Sequence, residues 1–293
     1  MKRAVFPLLL FTGLLVASEV HGQSTISNNP VEVSSGQGLW GALLPAYELG
    51  TGPGGATALR DDMDAVGYHG DLKVVRRFLG TRTSLEGRVF YGAAESTTNT
   101  GVVDILVPRP ADGSTAAFSG DAAQLRSVVD NYGFDVALRD TWVTRFGGLS
   151  AGCAFSYLAF DQSFNSTYGV DDLLREDLDT DYRGGKAFVG WDGCFCGRAS
   201  NLDLLIGFYD MDVDYRSQAG LLGSSVTEEL SKNVTTIETN FTTRMDYRKI
   251  QIGTTIGVMY LTDMPTINHT FSSPVSLGTE DAVSLKFLFE ILL

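Results

Sequence analysis

Residues 281–293 read Asp-Ala-Val-Ser-Leu-Lys-Phe-Leu-Phe-Glu-Ile-Leu-Leu and alternate between two kinds of side chain. One face of an extended strand would carry only apolar residues, namely Val283, Leu285, Phe287, Phe289, Ile291 and Leu293. The opposite face would carry Ser284, Lys286 and Glu290. A tilted strand of roughly 9 to 11 residues crosses a bilayer, and a period of two separates a lipid face from an interior face. The pattern therefore predicts a membrane-spanning β-strand.

The position of this strand, at the end of the chain, is as informative as its pattern. The strand resembles the final strand of bacterial outer-membrane β-barrel proteins, which ends in alternating apolar and aromatic residues and serves as their assembly signal. Leu293 stands where those proteins usually have an aromatic residue. The resemblance implies a small porin-like barrel in the bacterial outer membrane. Its implied partners are outer-membrane lipid, lipopolysaccharide and the barrel assembly machinery.

The first 22 residues have the composition of an export signal. A basic start at Lys2 precedes an apolar run at residues 4–16, and small residues suit cleavage before Gln23. The run is shorter than the roughly 18 to 20 residues that a spanning helix needs. We therefore predict a signal peptide at 1–22 and a mature barrel at 23–293.

The composition is acidic and rich in glycine. The net charge is −13, and the predicted cleavage removes two cations and one acid, which leaves −14. This charge makes nucleic acid an improbable partner. The 33 glycines and a mean hydropathy near zero fit apolar residues that are spread in alternation and not gathered in long runs.

Alternation elsewhere in the chain predicts further strands, joined by short turns near residues 146, 197 and 248. Long polar stretches separate these hairpins, at 96–128, 162–180, 216–234 and 262–280. Short periplasmic turns that alternate with long outer loops are typical of outer-membrane barrels. We therefore predict an all-β, antiparallel, up-and-down transmembrane barrel of eight to ten strands. Ten is favoured if region 36–83 supplies the first two strands; alternatively, that region is a plug or an extension.

Charges of both signs occupy the faces opposite the apolar ones. They are Glu86, Arg88, Asp135, Arg139, Lys186, Asp192, Glu238, Arg244, Asp246, Lys286 and Glu290. A barrel of eight to ten strands has an interior filled by side chains or holding only a narrow path. We predict paired charges that close the lumen, with a narrow channel tuned by these charges as the alternative.

Six carboxylates flank one predicted hairpin: Asp177, Asp179, Asp181, Asp210, Asp212 and Asp214. Gathered at the outer rim, they would supply the oxygen ligands that Ca²⁺ prefers, and no other cofactor is expected. The alternative is an acidic rim that is simply solvated. Because Leu202 and Phe208 share strand parity with Asp210, the apolar face switches, and a β-bulge near Gly207 is predicted.

Aromatic residues near the predicted strand ends suit the border between lipid and water, where amphipathic rings are favoured. The predicted girdle residues are Trp142, Trp191, Tyr209, Tyr215, Tyr247 and Tyr260. Three cysteines, Cys153, Cys194 and Cys196, would meet an oxidising compartment after export. A disulfide between two of them is predicted, with unknown connectivity, and three reduced thiols are the alternative.

Catalytic residues are scarce. Once the signal peptide is removed, only His69 and His269 remain, and no known hydrolase or phosphate-binding motif is present. We therefore predict that the chain is not an enzyme, with a rim hydrolase as the less favoured reading. The main alternative class is a secreted β-sandwich for binding or adhesion, in which a second sheet would bury Phe287 and Phe289. The expected role is structural or porin-like.

Overall fold

The computed structural model describes residues 31–62, 64–145, 147–218, 220–223, 225–247 and 250–292. Within them the strands are β1 (Val31–Leu43), β2 (Tyr47–Thr51), β3 (Thr57–Asp61), β4 (Asp64–Arg77), β5 (Thr83–Pro108), β6 (Thr115–Thr144), β7 (Gly147–Tyr168), β8 (Asp171–Phe195), β9 (Arg198–Gln218), β10 (Val226–Tyr247), β11 (Ile250–Asn268) and β12 (Ser276–Leu292). A single 3-10 turn, Pro53–Gly55, joins β2 to β3. The predicted signal peptide, Leu293 and the turn residues Phe146, Arg248 and Lys249 lie outside the described residues.

Ten of these strands close into a ring. The order is β5, β4, β1, β12, β11, β10, β9, β8, β7 and β6, and β6 pairs again with β5. Each of these pairs is antiparallel, and β1 joins β12 through register pairs such as Leu39 with Phe287. The predicted antiparallel barrel is confirmed, with the favoured ten strands. The alternative of two packed sheets is wrong, because all strands of the described residues belong to one sheet, and that sheet closes on itself.

The barrel has two distinct ends. We call the end where β1 begins and β12 ends the terminal end, and the opposite end the distal end. In the terminal half, apolar side chains point outward and form an exposed apolar band. On β12, Phe287 and Phe289 are exposed, whereas Lys286 and Glu290 face inward. The described part of the chain contains no helix that is long and apolar enough to cross a membrane.

Strand β9 shows how the surroundings of the wall change along the barrel. Leu204 and Phe208 point outward, and so does Asp212 farther along the same face. Between Phe208 and Asp212, the inward residues Tyr209 and Met211 are buried. Pairing of β8 with β9 continues through this region without a register shift. The β-bulge predicted near Gly207 is therefore wrong: the strand is regular, and the environment on each of its faces changes.

The four long polar stretches are mostly strand, not loop. The connection from β5 to β6 is only 109–114, and that from β7 to β8 is 169–170. The stretches looked like loops because their outward positions are polar. Their inward positions, including Leu125, Leu173 and Val234, pack into a buried apolar core that fills the distal half of the bore. The predicted long outer loops are thus replaced by tall barrel walls.

The distal end is closed by its own connections. The Ser272 amide donates to the Gly113 carbonyl at 2.9 Å, and the Val275 amide donates to the Pro110 carbonyl at 2.8 Å. Leu222, from the connection between β9 and β10, is also fully buried. Backbone hydrogen bonds between connections hold this cap together, because buried amide and carbonyl groups need partners.

A ring of tyrosine–aspartate pairs marks the distal edge of the apolar band. Each phenol faces a carboxylate on the neighbouring strand, in the pairs Tyr91–Asp130, Tyr132–Asp161, Tyr157–Asp181 and Tyr260–Asp281. Such rings favour a border with one apolar and one wet side. Of the predicted girdle residues, Tyr260 belongs to this ring, and Trp142 and Tyr247 point outward near the terminal end. Trp191 is half-buried on the outward face of β8. Tyr209 and Tyr215 were wrongly predicted, because both are buried inside the bore.

Candidate functional site

The terminal half of the bore contains a network of charges centred on Glu238. The Lys286 ammonium lies 2.8 Å from Glu238 Oε1, and the Lys186 ammonium lies 3.5 Å from Oε2. Arg88 Nη1 lies 3.9 Å from Oε1. Because β10, β12, β8 and β5 supply these four groups, the network ties together strands from around the ring.

Further ion pairs extend this network towards the wall. Arg88 donates twice to Asp71 Oδ2, at 3.1 and 2.9 Å, and Lys186 donates to Asp135 at 3.0 Å. Arg139 joins Glu86 at 2.8 Å and Asp203 at 2.9 Å. We call these groups the lumen cluster: Asp71, Glu86, Arg88, Asp135, Arg139, Lys186, Asp203, Glu238 and Lys286. Charges that are buried this deeply are tolerated in pairs, because desolvating a single charge costs several kcal/mol.

The remaining predicted lumen charges lie nearer the terminal end. Glu290 accepts a hydrogen bond from Thr255, and Arg244 is half-buried. Asp192 and Asp246 lie on the inward-facing side of β8 and β10, as Lys186 and Glu238 do, but both are exposed because they are close to the turns at the terminal end. They therefore stand at the mouth of the bore and not in its buried part.

Asp71, Lys73 and Asp203 were missed by the sequence reading. Lys73 lies 2.9 Å from Glu86, so it too belongs to the inner side of the wall. Asp71 and Lys73 alternate with apolar residues on β4, which was a usable signal. Asp203 was hidden by the supposed switch of the apolar face on β9.

Small cavities lie in the bore among the described residues. A cavity of about 130 Å³ lies among the lumen cluster and extends to Ser34 and Arg244. A second, of about 40 Å³, lies deeper and is lined by Trp40, His69 and Asn131. Ligand pockets usually have volumes of about 300 to 1,000 Å³, so neither cavity suits a drug-sized ligand.

His69 and Asn131 are polar groups that the protein leaves unsatisfied. Both are buried, and within the described residues neither nitrogen of His69 nor Oδ1 of Asn131 has a hydrogen-bond partner. The His69 ring is stacked on Phe90, with 6.0 Å between ring centroids. Because a water needs about 10 to 15 Å³ of such space, the deeper cavity has room for roughly three or four water molecules.

In the distal half, strands β2 and β3 form a hairpin that we call the plug hairpin, residues 47–61. It leaves the wall after β1, whose place in the ring is five steps from β8 in either direction. Nevertheless, the Tyr47 hydroxyl donates to Glu176 Oε2 on β8 at 2.5 Å. The start of the plug hairpin therefore crosses the bore to the opposite wall.

The sequence of the plug hairpin explains its shape. Gly54 and Gly55 take positive φ angles of 83° and 81° in its turn, where residues with a Cβ are rarely found. Leu49 pairs with Leu59, and both are completely buried in the distal core. On the other face Arg60 forms an exposed ion pair with Glu48 at 2.9 Å. One face therefore fills the bore and the other meets solvent.

Four groups hold the plug hairpin in place, and we call them the latch: Tyr47, Glu176, Tyr215 and His269. The Tyr215 hydroxyl donates to Glu176 Oε1, and His269 Nε2 lies 3.1 Å from Oε2. The Tyr47 ring also stacks on Phe164, with centroids 4.4 Å apart. His269 follows β11 and is buried against Glu176.

The latch lies beyond the apolar band, and its electrostatics favour an ionised Glu176. Burial alone would raise the pKa of this carboxyl, but the His269 imidazole and the two phenol donors outweigh burial and lower the pKa below its ordinary value. Burial and the neighbouring carboxylate raise the pKa of Tyr47, which keeps its phenol protonated as a donor.

The six predicted rim carboxylates lie on the outer surface of the distal wall. Asp179 is directly opposite Asp214, and Asp181 is opposite Asp212. Arg175 and Arg183 lie near the flanking Asp177 and Asp181, at 3.5 and 3.0 Å. Asp210 is opposite Arg183. In the described ranges, no group of three His, Cys, Asp or Glu side chains is arranged to hold a metal ion. Calcium at this wall stays a prediction.

The three cysteines are free and exposed. Cys153 faces outward and pairs in register with Ala187, seven residues before Cys194 on β8. At about 3.3 Å per residue these positions are roughly 23 Å apart, far beyond the reach of about 7 Å between disulfide Cα atoms. A disulfide that includes Cys153 within one chain is therefore excluded, and Cys194 with Cys196 is the remaining pair.

Two solved structures are similar to this chain in fold. The outer membrane protease OmpT from Escherichia coli has 10% identity and a TM-score of 0.48, over 92% of this chain and 98% of that chain. The P. putida toluene transporter TodX has 12% identity and a TM-score of 0.25, over 89% of each chain. No family model and no curated protein sequence matches the chain. At these identities the likeness concerns the fold and no particular residue.

The first of these neighbours corrects one prediction. Scarce histidine and the lack of a familiar motif predicted that the chain is not an enzyme, yet a similar barrel is, by its name, a protease. This fold therefore does not exclude catalysis, and the prediction is withdrawn.

Proposed function

We propose that this chain is an outer-membrane β-barrel whose bore is closed at two levels, and that its role is structural or that of a gated porin. The observation that carries the proposal is the hydrogen bond from Tyr47 to Glu176, which joins opposite walls across the bore. The lumen cluster forms the second closure. With both closures in place, no permanently open path is left for solutes through the bore.

The proposed orientation places the terminal end in the periplasm and the distal end outside the cell. The apolar band would contact membrane lipid, and the tyrosine–aspartate ring would lie near the lipopolysaccharide head groups. The resemblance of the final strand to an assembly signal supports insertion by the barrel assembly machinery. The distal walls would then stand outside the membrane as a rigid surface.

Planar-bilayer conductance tests the closure. We expect no steady current from the wild type, because the plug hairpin and the lumen cluster both block the bore. A variant that replaces residues 48–60 and the capping residues 270–275 with short glycine linkers and carries Arg88→Ser, Lys186→Ser and Glu238→Ser should conduct. The linker variant alone is the matched control, and the lumen cluster should keep it closed. A steady wild-type current would contradict the proposal.

The gated-porin role is favoured over a purely structural one by the construction of the plug. A hairpin attached at both ends can leave the bore without breaking any pair between ring strands, because within the described residues only the bridge of Thr51 with Leu106 joins it to the ring strand β5. Brief wild-type openings that become more frequent in Tyr47→Phe would support gating. If neither the wild type nor Tyr47→Phe shows openings, and current appears only after the lumen substitutions, the structural role is favoured.

A further inference from the structure

The turn between β8 and β9 lies at the terminal end and contains two cysteines. Phe195 pairs with Arg198, so only Cys196 and Gly197 connect the strands. Their φ angles are 52° and 77°. Two central residues with positive φ define a type I′ hairpin turn.

Cys196 is an unusual choice for this position. Type I′ turns favour Asn, Asp or Gly at the first central residue, because a Cβ at positive φ is disfavoured. The backbone therefore does not account for a cysteine here. Positions at which a residue breaks a local rule are often positions with a functional reason.

A second thiol lies within reach. Cys194 is two residues earlier, and two Cα steps of about 3.8 Å keep the two Cα atoms within roughly 7 Å. Disulfides need Cα atoms about 4.4 to 6.8 Å apart. Both thiols are exposed, whereas Cys153 stands in the apolar band far from them.

We propose that Cys194 and Cys196 form a redox-active dithiol that exchanges with the disulfide of another protein. The Cys196 thiolate attacks one sulfur of that disulfide, and the other partner sulfur leaves as a thiolate. The Cys194 thiolate then attacks the Cys196 sulfur, which forms the Cys194–Cys196 bond and releases the second partner sulfur. Two electrons pass to the partner, and the two thiol protons go to solvent or to the departing thiolates.

The chemistry of this site does not depend on the closed bore, and only its periplasmic location rests on the proposed function. A small ring closed over one intervening residue is a strained disulfide, and strained or exposed disulfides are reduced readily. The turn dithiol should therefore cycle between both states and not remain a permanent staple.

Purified, reduced protein in detergent, incubated with oxidised glutathione, tests the proposal. Maleimide labelling under denaturing conditions counts the remaining thiols, and intact mass identifies adducts. We expect the wild type to retain one thiol, that of Cys153, to lose two hydrogens and to carry no glutathione. Reduced glutathione should restore all three thiols. Retention of three thiols, or separate glutathione adducts on Cys194 and Cys196, would overturn the proposal.

Three variants complete the experiment. Cys153→Ser should form the same Cys194–Cys196 disulfide and keep no free thiol. Cys194→Ser should trap glutathione on Cys196 as a mixed disulfide. Cys196→Asn suits the type I′ turn, so it should fold normally, as shown by a heat-dependent gel shift, and yet form no ring. An intramolecular disulfide in Cys196→Asn, or glutathione bound to Cys153 alone, would show that the reactive thiols are not the pair Cys194 and Cys196. Conductance measurements are independent of all these outcomes.

Discussion

Glu238 is the residue on which the lumen cluster depends most. Replacing it with Gln leaves Lys286 and Lys186 without their shared carboxylate in a buried site. Breaking a buried ion pair on one side costs about 3 to 5 kcal/mol, so Glu238→Gln should lower the free energy of unfolding by about that much. Urea titration of barrels folded into lipid vesicles measures the change.

Asp246→Asn is the matched control for Glu238→Gln, because it neutralises an exposed acid on the same strand. Exposed positions usually change stability by less than about 0.5 kcal/mol. Equal decreases in the free energy of unfolding of the two variants would show that the lumen cluster is not a buried network.

Replacing His69 should have the opposite effect on the free energy of unfolding. Its ring nitrogens have no partner within the described residues, so His69→Phe removes unsatisfied polar atoms and keeps the stack on Phe90. An unsatisfied buried polar group costs about 1 to 3 kcal/mol, and the variant should therefore be at least as stable as the wild type. A clear fall in the urea midpoint would assign His69 a partner in the bore.

At the scale of the element, β9 tests the change of environment along the wall. Leu204 and Asp212 point outward on the same strand, one in the apolar band and one beyond it. Leu204→Lys should cost about 2 to 4 kcal/mol if that face meets lipid. Asp212→Lys should cost less than about 1 kcal/mol, because its face meets water. Folding into vesicles distinguishes the two, and similar costs would contradict the proposed membrane boundary.

The plug hairpin should loosen in acid. The pKa of Glu176 is lowered in the folded state, so its stabilising contribution is full above the unfolded carboxyl pKa of about 4.3. That contribution is lost as the pH falls through the lower folded pKa. Hydrogen-exchange protection of residues 47–61 should therefore be high at pH 7 and fall below about pH 4.

Glu176→Gln is the control for this acid effect. The amide keeps the size of the side chain but loses the charge that attracts His269. Protection of the plug hairpin should already be lower at pH 7 and should change little on acidification. A variant as acid-sensitive as the wild type would place the titrating group elsewhere.

At the scale of the whole molecule, ring closure determines how the protein resists detergent. Every strand of the ring has two hydrogen-bonded neighbours, so no free edge is available from which to unravel. The unboiled protein should migrate on a detergent gel as a compact species, and boiling should convert it to a slower one. Identical mobility of the two samples would contradict a closed barrel.

The sequence by itself determined the class of the fold, because the period of two depends only on neighbouring residues. Alternation on β12, the short turns near residues 197 and 248, and the need for an even strand count predicted an antiparallel ring of eight to ten strands, with ten favoured. The charges on β5, β6, β8, β10 and β12 could likewise be assigned to the interior, since they are opposite apolar faces.

Only the tertiary structure decided which side of the distal wall is inside. Alternation is the same whether apolar residues face lipid or a core, so Tyr209 and Tyr215 were predicted at the lipid border, whereas both are buried inside the bore. The latch could not be predicted either, because Tyr47, Glu176 and His269 are far apart in sequence and meet only where a hairpin crosses the bore. Local pattern specifies strands, but it contains no information about which distant side chains share a closed interior.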